Sequence, residues 1–197
     1  MSRIVAGSAG GRRIRVPSGR NTRPTTDRVR EAIFSAVAAW AGTADRPPRE
    51  ALAGLAFADL YAGSGAVGLE AASRGAHPVL LVEQDRATAQ LVRRNAADLG
   101  LPATVRPGDV RALLRRPAEA GFDVVFADPP YDVPTPVVEE LLADLDAQGW
   151  LNPSALVMVE RSRRTPAPAW PASVPETWSR AYGETTVWFG VRAAVEE

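Results

Sequence analysis

An α/β fold is predicted: a mostly parallel seven-stranded sheet with an antiparallel final strand, preceded by an N-terminal β-hairpin and helix. Three observations predict it. From residue 55 onward, short apolar runs alternate with helical patterns, the βαβ rhythm that calls for parallel strands joined by right-handed crossovers. Gly63, Gly65 and Gly68 stand in a G-x-G-x-x-G spacing straight after the first of those runs, which marks the strand, tight turn and helix of Rossmann-like folds. Asp59, Glu83, Asp109 and Asp128 fall at the carboxyl ends of four successive expected strands, and that edge of an open α/β sheet is where ligands bind.

The elements follow in order. Residues 3–6 and 12–16 alternate apolar and charged around a Gly-Ser-Ala-Gly-Gly turn, giving a small hairpin. Thr25, Thr26 and Asp27 supply an N-cap signal for a helix over 27–40, with Val29, Ile33, Phe34 and Val37 on one face. Strands are expected at 55–60, 78–83, 103–107, 122–127 and 155–160, with helices at 66–74, 86–99, 109–116 and 135–147 between them. Residues 165–175 are proline-rich and read as a loop. A last hairpin pairs 177–182 with 186–191 across Gly183-Glu184. The expected division is a basic appendage at 1–41, a linker at 42–54 containing Pro47-Pro48, and the main domain at 55–197.

Composition narrows the chemistry. A chain of 197 residues, 46% hydrophobic, can bury a substantial core. No run of about 18 apolar residues predicts a membrane span, and the first residues lack a signal-peptide core. The absence of cysteine excludes disulfides, thiolate metal sites and a cysteine nucleophile, hence ring-carbon methylation of cytosine through a covalent adduct. Neither cysteine nor histidine clusters support a metal; the one histidine, His77, lies in an expected turn. All 23 basic residues are arginine, and net charge is zero. The charge is uneven, however: before Glu31, eight arginines face Asp27 alone, whereas acids outnumber arginines over 109–160. Such an arm is an electrostatic footprint for a phosphate backbone, and its glycines and prolines suit a turn-rich hairpin fitted against RNA more than a packed core.

Two motifs carry the reaction chemistry. In Asp59-Leu60-Tyr61-Ala62-Gly63-Ser64-Gly65-Ala66-Val67-Gly68, Gly63 and Gly65 permit positive φ and close ligand approach, while Gly68 allows tight helix–strand packing. Glu83, twenty residues after Gly63, can accept hydrogen bonds from both hydroxyls of a ribose. This half fits NAD as well as S-adenosylmethionine. Asp59 favours the latter, because a carboxylate there can stabilise a cationic ligand, directly or through water, and repels a pyrophosphate; Asp109 can reach an adenine amino group at a third strand end. The second motif, Asp128-Pro129-Pro130-Tyr131, follows the apolar run 122–127. Proline ends the strand, and the loop then offers acceptors and an aromatic face to a flat heterocycle bearing an exocyclic amino group. Both motifs are expected to open onto one cleft.

Together these residues resemble the bacterial small-subunit rRNA methyltransferase D family over nearly the whole chain. The resemblance rests on Arg3-Ile4-Val5-Ala6-Gly7, Gly11-Arg12-Arg13, the block Arg23-Pro24-Thr25-Thr26-Asp27-Arg28-Val29-Arg30-Glu31-Ala32-Ile33-Phe34, and the two motifs above. It departs at Ala6, Tyr61 and Gln84, where the family usually has glycine, phenylalanine and a basic residue. It implies a class I S-adenosylmethionine-dependent methyltransferase that modifies the N2 amino group of one guanine in 16S rRNA. The donor would be held by Asp59, Tyr61, Gly63, Ser64, Gly65, Gly68, Glu83, Gln84, Asp109 and Val110, with Asp128, Pro129, Pro130 and Tyr131 forming the catalytic loop. Arg3, Arg12, Arg13, Arg20, Arg23, Thr25 and Arg28 would meet RNA, in the small ribosomal subunit or a late precursor. A cytoplasmic monomer without metal is implied. Competing readings are a DNA adenine-N6 or cytosine-N4 methyltransferase, a non-catalytic rRNA-binding assembly factor, and an NAD-dependent dehydrogenase.

Overall fold

The computed structural model describes residues 2–17 and 26–194. The chain divides into two compact units, Met1–Gly108 and Asp109–Glu197. The hairpin strands β1 (Ser2–Arg3) and β2 (Arg13–Ile14) pair antiparallel. After α1 (Asp27–Trp40), the first unit contributes β3 (Phe57–Leu60), α2 (Ala66–Ser73), β4 (Val79–Glu83), α3 (Arg86–Leu99) and β5 (Thr104–Pro107). The second contributes α4 (Val110–Leu114), β6 (Phe122–Ala127), α5 (Thr135–Ala147), β7 (Leu151–Ser162), β8 (Glu176–Tyr182) and β9 (Thr185–Val191). Strands β3 to β9 form a seven-stranded sheet of order β5-β4-β3-β6-β7-β9-β8.

In the first unit, β4 pairs parallel with both β3 and β5. All four residues of β3 are buried, as suits a parallel strand covered on both faces. All eight residues of α2 are buried too, which its Ala- and Gly-rich sequence permits by keeping the helix thin. Asp85 caps α3 by accepting from Thr88 N–H, and Gly100 at φ +68° ends it in the left-handed region. The buried positions of α3 are Ala89, Val92, Asn95, Ala96 and Leu99, one stripe with an amide in its middle.

The arm departs from expectation. Ile4, Ala9 and Ile14 are buried, and buried side chains of α2 receive the arm's backbone. Glu70 accepts from Val5 N–H at 2.6 Å and Ala6 N–H at 2.9 Å, while Ser73 Oγ donates to Ala6 O and accepts from Ala9 N–H. A hairpin without packed core is thus corrected: polar residues of α2 satisfy the backbone groups that a hairpin this short leaves unpaired. Residues 42–54 are likewise packed, since Leu52 is fully buried and Thr43 Oγ1 donates to Ala51 O.

In the second unit, β6 and β7 run parallel, whereas β9 is antiparallel to both β7 and β8. Strand β7 begins at Leu151, earlier than the apolar run 155–160 indicates. The extra residues include Pro153, which cannot donate to a ladder; the register shift between Phe122 and Val124 accommodates the irregularity. Trp150 is buried, stacks on Phe122 and donates to Arg116 O. Among the described residues, no helix is long and apolar enough to cross a membrane.

Candidate active site

In the first unit, the glycine turn joins β3 to α2. Tyr61 at φ +68° starts it, a conformation that costs a side chain energy. Gly63 has φ +53° with open space where a Cβ would stand, and Gly65 has φ +80°. A Cβ on Gly65 would lie 2.8 Å from Val92 Cγ1, and one on Gly68 would lie 2.7 Å from Leu81. Only glycine allows this turn to press on α3 and α2 to press on β4. The N-cap residue of α2, Gly65, has no side chain to cap the helix, and Asp59 takes the N–H of Gly68; helix starts of this kind bind ligands through their remaining N–H groups.

Glu83, the last residue of β4, is half-buried and engages backbone on both sides. Oε2 accepts from Gly63 N–H at 2.8 Å and Oε1 from Asp85 N–H at 2.8 Å. Each carboxylate oxygen carries a second lone pair, so the clamp leaves capacity for two ribose hydroxyls. Gln84 beside it is exposed and Ser64 half-buried. These features fit the nucleoside portion of S-adenosylmethionine.

Asp59 is gripped by the protein itself. Its side chain is buried and accepts from Gly68 N–H at 2.7 Å. Burial pushes its pKa up to about 7; the Gly68 hydrogen bond opposes this and the Glu83 charge adds to it. The carboxylate thereby ties the first turn of α2 to β3.

The second unit has candidate residues of its own. Asp109 is exposed and caps α4, accepting from Ala112 N–H at 2.8 Å, while Val110 is buried in the core. At the carboxyl end of β6, Asp128 is half-buried, Pro129 buried and Pro130 exposed. Tyr131 is 61% exposed, the large apolar side chain that the described residues leave in solvent. Pro130 O accepts from Val133 N–H, closing a turn. Arg161, buried on β7, donates to Val133 O at 2.5 Å and holds that turn from beneath.

The arginines divide. Arg3 pairs with Asp27 at 2.9 Å. Arg12 donates to the carbonyls of Asp98 and Leu99 at the end of α3, where the helix dipole favours a cation. Two of its nitrogens therefore hold protein. Arg13 and Arg28 are exposed. Arg20, Arg23 and Thr25 lie outside the described residues. Arg30, part of the basic count, is fully buried; it donates to Ser2 Oγ, Arg3 O and Asp27, and burial lowers its pKa.

Sequence reasoning missed Glu70, Ser73, Asn95 and Arg161. Each is a polar residue inside an apolar stripe or run, and that anomaly was the available signal. Among the described residues, no group of three or more His, Cys, Asp or Glu side chains could hold a metal ion.

Known proteins match this arrangement. The solved structure of the Escherichia coli protein yhhF is 33% identical, with a TM-score of 0.83 over 98% of this chain and 99% of that one. The RsmC methyltransferase of Thermus thermophilus, described as a 16S rRNA N2 G1207 methyltransferase in complex with AdoMet and guanosine, shares the fold at 22% identity and a TM-score of 0.62, over 90% of this chain and 45% of that one. Ribosomal RNA small subunit methyltransferase D of Escherichia coli (strain K12) is 35% identical over 183 residues, 90% of this chain and 81% of that protein. The family model described as Conserved hypothetical protein 95 matches residues 2–191. With a glycine turn, a ribose-competent carboxylate and an Asp-Pro-Pro-Tyr loop on a mostly parallel sheet, the chain belongs to this family of small-subunit rRNA methyltransferases.

Proposed function

We propose that this chain methylates the exocyclic N2 amino group of a specific guanine in 16S rRNA, using S-adenosylmethionine. The observation that carries the reading is the Asp128–Tyr131 loop, which ends β6 with a half-buried carboxylate and a largely exposed ring. An aryl amine is a poor nucleophile because its lone pair is delocalised into the ring. Asp128 and the carbonyl of Pro129 accept hydrogen bonds from the amino group and draw its nitrogen toward tetrahedral geometry; Pro130 O already serves the turn to Val133. Tyr131 stacks on the base once it leaves the helix. S-adenosylmethionine supplies an electrophilic methyl on a sulfonium. Glu83 orients the ribose, and the turn at Gly63 and Gly65 gives backbone approach. Positioning supplies most of the acceleration.

The substrate is the small ribosomal subunit or a late precursor, met through the basic arm. Arg13 and Arg28, exposed within the described residues, join Arg20, Arg23 and Thr25 as candidates for that contact.

A methyl-label assay tests the reading. Small ribosomal subunits from a strain lacking the enzyme should accept label, and nuclease digestion should yield N2-methylguanosine. Label in duplex DNA instead, at adenine-N6 or cytosine-N4, would overturn it. Asp128→Ala should abolish turnover while keeping donor binding by calorimetry. Near-normal methylation by that variant would refute the role of the loop.

A further inference from the structure

Asn95 is 2% exposed and lies in the buried stripe of α3. Its Oδ1 accepts from Arg15 N–H at 3.0 Å, and its Nδ2 donates to Arg15 O at 2.9 Å and to Ser64 O at 3.1 Å. Both amide protons and the carbonyl oxygen are therefore engaged. Swapping oxygen and nitrogen would set two donors, or two acceptors, against each other at all three contacts, so the network itself fixes the orientation. Arg15 belongs to the basic arm, two residues before Pro17. Ser64 lies between Gly63 and Gly65 in the donor turn. One turn earlier on α3, Val92 occupies the space that a Cβ on Gly65 would need. The same helix thus supports the turn twice, once by apolar contact and once through an amide shared with the arm.

We infer that Asn95 is a positioning residue that couples RNA engagement by the arm to methyl-donor binding at the glycine turn. This rests on the proposed function. When RNA engages the arm, it steadies Arg15 in the register that it already holds on Asn95, and with it the amide on Ser64 O. The turn is then fixed in its donor-binding form. Linkage requires the reverse as well: a bound donor steadies Asn95 and raises the affinity of the arm for RNA by the same factor.

Equilibrium dialysis with labelled S-adenosylhomocysteine, an unreactive probe, tests this. Its Kd is measured with and without saturating unmodified small ribosomal subunits, for the wild-type chain and for Asn95→Ala. Wild type should bind about fivefold or more tightly in the presence of subunits, the lower end of usual coupling, and the variant's ratio should fall to near one. A residue that merely props the fold would weaken both measurements equally and leave the ratio unchanged; that result overturns the inference, as does a wild-type ratio near one. If the wild-type chain does not bind the probe at all, the proposed function fails, whereas binding without coupling removes only the role of Asn95. Should Asn95→Ala not fold, hydrogen exchange on the wild-type chain decides. Subunits alone should slow amide exchange over residues 61–65, and unchanged exchange there would refute the coupling.

Discussion

Gly63 donates its backbone N–H to Oε2 of Glu83 across 2.8 Å, so the carboxylate that ends β4 also clamps the turn that follows β3. Under the proposed function, substitution should damage the donor site twice, through the lost ribose contact and through a loosened turn. Glu83→Ala is expected to weaken S-adenosylmethionine binding by about fivefold or more, given about 1–3 kcal/mol for orphaning a hydrogen-bonded group. Glu83→Gln, which keeps an acceptor, should lose less. Isothermal calorimetry reads both.

Glu70 is fully buried and accepts from two arm amides and from Arg74 Nε at 2.9 Å. Glu70→Ala leaves an arginine and two N–H groups without their acceptor. A loss on the order of 3–5 kcal/mol is expected, with earlier proteolytic cleavage in the arm. Urea denaturation measures the first, and timed digestion the second.

Two arm glycines make a controlled comparison. Gly7 has φ +85° and a Cβ there would lie 2.0 Å from Ser73 O, whereas Gly11 has φ +80° with nothing within 4 Å. Gly11→Ala should cost about 1–2 kcal/mol from backbone strain alone. Gly7→Ala should cost clearly more, because two backbones must separate. Equal melting temperatures for the two variants would contradict the packing of the arm on α2.

Asp59 gives a pH signature. Its pKa is raised from 3.8 to about 7 by burial, so between those values the folded chain holds more protons than the unfolded one. Stability contributed by this group is then full at low pH and declines as pH rises through that window. Asp59→Asn keeps an acceptor for Gly68 N–H but cannot titrate. Its unfolding free energy should fall less between pH 4 and 7 than that of wild type in parallel urea titrations.

Tyr131 should matter to turnover and not to donor affinity. Stacking of a base on an aromatic ring is worth about 1–3 kcal/mol, so Tyr131→Ala should lower kcat/KM by about ten- to a hundredfold while Tyr131→Phe stays near wild type. An unchanged methylation rate on small subunits for the alanine variant would remove the stacking role.

The strands and helices of the main sheet were legible because apolar periodicity dominates them: β6, α3 and α5 have the bounds expected. The turn at Gly63 and Gly65 was legible because positive φ selects glycine. The arm was not, since its attachment depends on Glu70, Ser73 and Asn95, distant in sequence and engaged with backbone groups that carry no residue identity. Strand β7 was underestimated for a related reason: an Asn-Pro pair reads as a loop, and only a paired neighbour shows it within a bulged ladder. The depth of Asp59 was not legible either, because its burial depends on packing between β3 and α2.

The arm is fastened mainly through main-chain amides and carbonyls held by Glu70, Ser73 and Asn95. Its outward arginines Arg3, Arg12 and Arg15 add side-chain contacts to Asp27, to the end of α3 and to Asp98, so evolution can rewrite these positions at some cost to the attachment while the main-chain grip endures.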